Sequence, residues 1–107
     1  MSKSTSIKSQ IDRIQTEVPT QNIFMLLAEE ASELAQAAIK MCRLHNKNNP
    51  TPKQDAEAWN DLVEEYTDVL NVAQRVLELK PDWHVGNYKL NRWCKRLDEA
   101  KEAIDET

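Results

Sequence analysis

The chain has 107 residues, 40% of them apolar and 30% charged, which suits one domain with a modest core and is too polar for a membrane span. A net charge of −4 removes any bulk electrostatic case for binding a nucleic acid polymer. It leaves open a nucleotide whose phosphate charge is carried by a recruited cation.

One Gly and four Pro leave little material for hairpin turns, so long helices joined by few loops are expected across a single domain, 1–107. Residues 1–6 are polar and expected to fray, with Ser4, Thr5 or Ser6 available as an N-cap. No apolar run follows Lys3, so no secretory signal is read there. Cys42 and Cys94 do not make a disulfide scaffold, and a reducing cytoplasm is the expected setting.

Ile7, Ile11, Ile14 and Val18 recur at helical spacing, and Pro19 ends that helix. Thr20 is the expected cap of a second helix over about Gln21 to Arg43. Its apolar face comprises Phe24, Leu27, Ala28, Ala31, Leu34, Ala35, Ala38 and Cys42. A polar loop from Leu44 to Pro50 precedes Thr51-Pro-Lys-Gln54, which reads as a helix start with a capping box.

The third helix is expected from about Pro52 to Leu79, facing inward through Trp59, Leu62, Val63, Tyr66, Val69, Leu70, Ala73 and Leu77. Pro81 stops it and Asp82 can cap the next helix. This last helix is expected to start between Trp83 and Asn87 and to end near Ile104. Its apolar line is Tyr88 or Val85, then Leu90, Trp93, Leu97, Ala100 and Ile104. No strand-like alternation persists, so the expected fold is an all-α bundle of four helices, completed by association of copies.

Two acidic clusters stand inside these helices: Leu26-Leu-Ala-Glu-Glu-Ala-Ser-Glu-Leu34 and Leu62-Val-Glu-Glu-Tyr-Thr-Asp-Val-Leu70. At roughly 100° per residue, Glu29 and Glu64 fall on polar faces. Glu30 and Glu33 share a flank with Ile23, Leu26, Ala37 and Met41, while Glu65 and Asp68 flank Val72, Val76 and Leu79. Residues at i and i+3 project from one side of a helix, so antiparallel packing would converge four carboxylates. Such a group repels itself unless a cation neutralises it, and oxygen-only ligands favour Mg²⁺ first and Mn²⁺ next. Either cluster alone reads as a solvated face; two in matching phase and spacing favour a metal site.

The paired motif, Leu27-x-Glu29-Glu30-x-x-Glu33-Leu34 followed by Glu64-Glu65-x-x-Asp68-Val69-Leu70, resembles the MazG-like all-α nucleoside triphosphate pyrophosphohydrolases. The resemblance covers about Phe24 to Leu97. It implies Mg²⁺-dependent hydrolysis of a (deoxy)nucleoside triphosphate between the α- and β-phosphates, with Glu30, Glu33, Glu65 and Asp68 as metal ligands. Glu29 and Glu64 match the leading acids of each motif and would orient water or merely solvate the helix. The family also implies a homodimer, or a tetramer made of dimers, with more than one chain contributing to each site.

Positive charge for the phosphates would come from Lys89, Arg92 and Arg96, in the one basic cluster, which is similar to the Lys-x-x-Arg-Trp segment of small phage-type members. Asn71, one turn after Asp68, is a further candidate for a substrate hydrogen bond. Trp59, Tyr66, Trp83 and Trp93 could stack a base, although aromatics at helical spacing more often build core. A zinc site from Cys42, His45, His84 and Cys94 is disfavoured because its second half lacks tight ligand spacing. The competing reading is a non-enzymatic helical module that oligomerises through the Ala-rich second helix, its acids serving only solubility.

Overall fold

The computed structural model describes residues 6–46 and 55–106, and within them every regular element is helical. Helix α1 spans Ile7–Glu17, α2 spans Thr20–Leu44, α3 spans Asp55–Leu70 and continues as a π-helical segment Asn71–Val76, and α4 spans Trp83–Asp105. No described helix is long and apolar enough to cross a membrane. The expected helix start at Thr51–Gln54, and Ser4 and Thr5 as caps, lie outside the described residues.

Local chemistry sets most helix ends. Ser6 caps α1, its hydroxyl accepting from the Ser9 N–H at 3.1 Å. Val18 is extended before Pro19, as the proline demands. The cap of α2 differs from expectation: the Pro19 carbonyl accepts from the N–H groups of Asn22 and Ile23 at 2.9 and 3.2 Å. Thr20 is therefore already helical, and no side chain caps this end. The Asp82 carboxylate accepts from His84 and Val85 at 3.1 and 3.2 Å and starts α4 at Trp83, with Gly86 inside the first turn.

The third helix departs most from expectation. Its α-helical hydrogen bonding stops at Leu70 instead of running to Leu79. The Leu77 N–H reaches back five residues to Val72, and the Leu79 N–H reaches Ala73. Glu78 between them sits at φ 59°, the left-handed conformation that ends helices and usually falls to glycine. One extra residue in the turn rotates everything beyond Asn71. Helix α1 packs on this segment, where the Gln15 side-chain amide donates to the Val76 carbonyl at 2.8 Å.

Helices α2 and α3 form the main packed pair, and they run antiparallel: Lys40 shares a hollow with Asp61 while Glu33 meets Glu65. The buried apolar residues are Ile23, Ala37, Ala58 and Val72. On α2 the inward line is Ile23, Leu27, Glu30, Leu34, Ala37, Met41 and Leu44, at alternating four- and three-residue steps. Phe24, Ala28, Ala31, Ala35, Ala38 and Cys42, expected to face the core, instead form an exposed second line about one residue around the helix. On α3, Trp59, Val63 and Tyr66 are likewise exposed.

Helix α4 is not packed into this unit. All its side chains from Trp83 to Asp105 are exposed, Leu90, Trp93 and Leu97 by 59 to 60%. The chain extends over 71 × 39 × 22 Å, with a radius of gyration of 19.6 Å against about 13 Å for a compact domain of this length.

Candidate metal centre

The inward lines of α2 and α3 are apolar except where each carries its acids. Glu30 occupies a core-facing position on α2, and Glu65 does so on α3, with Glu33 one turn on at the pair's edge. The result is a triangle: Glu30, Glu33 and Glu65 each offer a carboxylate oxygen, and these oxygens all lie within 4.8 Å of one another. It is the only such set of potential metal ligands among the described residues.

Glu30 and Glu65 are half-buried, and Oε2 of each is covered with no hydrogen-bond donor in reach. Desolvation is the largest cause raising the Glu30 pKa above its ordinary value, followed by the negative charges of Glu33 and Asp68. Glu65 is raised in the same order, by desolvation, then Glu33 and Asp68, with Glu64 adding a smaller push. Glu33 is within hydrogen-bonding reach of both, a bond that needs a shared proton and so raises both further. Two covered carboxylate oxygens without donors, in an oxygen-only set, are what a hard divalent cation would satisfy. The residues fit that group.

Asp68 is half-buried beside the triangle, near enough to repel Glu30 and Glu65, but it is not within the 4.8 Å set. Glu29 and Glu64 are exposed on the polar faces. Asn71 opens the π-helical segment and lines a hollow with Ile7, Ile11 and Ile14 of α1, not the one beside the carboxylates. Lys89, Arg92 and Arg96 lie on exposed α4 and are not brought to the acids within one chain.

A polar hollow of about 380 Å³ opens beside the triangle, lined by Glu33, Gln36, Ala37, Lys40, Asp61 and Glu65. By periodicity alone Gln36 and Lys40 fall with Glu29 on the polar face of α2, and Asp61 stands outside both acidic motifs. Their spacing held the signal, since Glu33, Gln36 and Lys40 stand at i, i+3 and i+7, and Asp61 is one turn before Glu65. Leu34, Trp59, Leu62, Val63 and Tyr66 line a separate, wholly apolar groove of about 530 Å³. Of the aromatics that could stack a base, Trp59 and Tyr66 share this groove, whereas Trp83 and Trp93 stand on α4.

Comparison of the chain with protein-family models, with curated proteins and with solved structures returns no match. Any functional reading therefore rests on the paired motif and on this geometry. Cys42 and Cys94 are free and exposed, on α2 and on unpacked α4 respectively, and no cluster containing cysteine or histidine forms among the described residues.

Proposed function

We propose that the chain is a Mg²⁺-dependent pyrophosphohydrolase of the MazG-like type, cleaving nucleoside triphosphates between the α- and β-phosphates to monophosphate and pyrophosphate. The reading would place it in nucleotide-pool housecleaning. The observation that carries it is the convergence of Glu30 and Glu33 from the first acidic motif with Glu65 from the second, within 4.8 Å. Two acidic motifs kept only for solubility have no reason to meet inside a helix pair, because burying and crowding carboxylates costs stability.

In this reading Glu30, Glu33 and Glu65, with Asp68 beside them, hold Mg²⁺, or Mn²⁺ in its place. The chemistry the ion supplies when bound is neutralisation of phosphate charge and a more acidic water. Glu29 and Glu64, exposed on the polar faces, are left solvating their helices in this reading. Lys89, Arg92 and Arg96 bind the phosphate tail only if a second copy brings its α4 to the acids.

Association is part of the proposal. The chain exposes 9319 Å², against about 6,100 Å² for a compact monomer of its mass. The surplus, about 3,200 Å², exceeds the roughly 800 Å² per partner of a standard interface. A homodimer, or a tetramer made of dimers, would cover it.

The same exposed apolar surface favours one second reading, a non-enzymatic module that oligomerises through its helices. A panel of nucleotides with MgCl₂, its products separated by anion exchange, tests the two for wild type and Glu33→Gln. Monophosphate and pyrophosphate from wild type alone support the enzyme. Orthophosphate and diphosphate would keep an enzyme and remove the family assignment. No turnover, together with no Mg²⁺ or Mn²⁺ effect on melting, would leave the module.

A further inference from the structure

We propose that Lys40 is a phosphate-binding residue, contacting the substrate's anionic tail in the hollow beside the carboxylate triangle; the inference rests on the hydrolase reading. The hollow shares Glu33 and Glu65 with the triangle, so a ligand held at those carboxylates has this space next to it. Its six lining residues include three acids and a single cation, Lys40. A polyphosphate entering there meets repulsion from every charged group except that one and any bound metal.

Three features make Lys40 available. It stands two turns beyond Glu33 on the same face of α2, about 10 Å along the helix axis, which a triphosphate tail starting at the triangle and the lysine's own side chain span together. It makes no hydrogen bond or ion pair with any described residue, although Asp61 and Glu65 line the same hollow. Between Glu33 and Lys40 the wall is Ala37, buried and only a methyl group deep, beside the exposed Gln36, whose amide adds a hydrogen-bond donor for phosphate oxygens. A flexible ammonium with three donors suits an anion of variable position. Helix α4 offers its cations only from outside this unit, whereas Lys40 is already in place.

The test is steady-state kinetics of Lys40→Gln and Lys40→Arg with MgCl₂, alongside melting in Mg²⁺ alone and in Mg²⁺ with inorganic pyrophosphate. Lys40→Gln is expected to raise KM about 10- to 100-fold, the range for losing one charge-assisted contact. Inhibition by pyrophosphate should weaken in parallel, and the Mg²⁺ concentration that half-stabilises the fold should not move. Lys40→Arg should recover most of the KM. An unchanged KM in Lys40→Gln would overturn the assignment. So would a loss confined to kcat with a shifted Mg²⁺ midpoint, which marks a residue acting through the metal. Absence of turnover in wild type would instead defeat the hydrolase reading. Lys40 is then judged by pyrophosphate–Mg²⁺ stabilisation: lost in Lys40→Gln it stands as an anion site, retained or absent in wild type it falls.

Discussion

Glu30 on α2 and Glu65 on α3 each cover a carboxylate oxygen that no donor reaches, and both stand against Glu33. Helix packing alone gives no reason for this. Apolar residues at these two positions would continue the inward lines of both helices without any desolvation cost. The arrangement is a stability deficit in the metal-free chain, and that deficit can be measured.

The first expectation concerns pH. Both folded-state pKa values are raised above the ordinary 4.5, so between 4.5 and the raised values the folded chain binds more protons than the unfolded one. The contribution of this pair is thus fully present below 4.5 and lost as pH rises through the raised values. In EDTA, wild type should lose melting temperature over that window relative to a Glu30→Gln/Glu65→Gln variant, in which the pair cannot titrate. A wild-type curve parallel to the variant's would refute the carboxylate coupling.

Removing one charge should separate fold from function. Glu30→Gln keeps the shape and relieves the repulsion, so in EDTA at neutral pH it should melt above wild type. With Mg²⁺ the order should reverse, because a ligand at 100 times its Kd stabilises the binding-competent fold by about 2.7 kcal/mol. Hydrolysis should fall by at least about 100-fold, the upper end of what loss of a residue merely supporting a metal ligand costs. A Glu30→Gln protein that keeps its Mg²⁺-dependent shift would show that the ion, if any, binds elsewhere.

What was legible in the sequence was local. The Ser6 and Asp82 caps and the stop at Pro19 depend on neighbours within a few residues, and each appears where the sequence puts it. Glu30, Glu33 and Glu65 were legible because two helices carry one spacing in one phase. The inward face of α2 was not, since apolar residues cover two adjacent lines and periodicity returns a direction between them. The π-helical turn from Asn71 has no signal in residue type, and neither does the packing of α1, against which Asn71 lies. Lys40 was hidden by its charge, which reads as solvent on any single helix.

The turn itself offers a test independent of function. Glu78 holds φ 59°, which costs a residue with a Cβ roughly 1–2 kcal/mol, while glycine adopts it freely. After the greater chain entropy of glycine is set against this, Glu78→Gly should gain about 0.5–1 kcal/mol in denaturant unfolding. Glu78→Val should lose about 1 kcal/mol, as branching at Cβ disfavours this conformation further. Equal stability of the two variants would mean that the segment Leu77–Leu79 does not hold this backbone in solution.

Helix α4 is where the proposed assembly can be tested. Leu97 lies on the line Leu90, Trp93, Leu97, Ala100 and is 60% exposed, so Leu97→Asp removes little within one chain and should leave helicity near wild type. If a second copy covers that line, the same change buries a carboxylate against apolar side chains and should break the assembly. Light scattering is expected to give at least a dimer for wild type and a monomer for Leu97→Asp. Loss of hydrolysis with the dimer, while Mg²⁺ still raises the melting temperature, would mean that the carboxylates act within one chain and the phosphate cations arrive from another. A monomeric wild type with the radius of gyration of a compact domain would show instead that α4 folds back onto its own α2 and α3, and would end the case for a shared site.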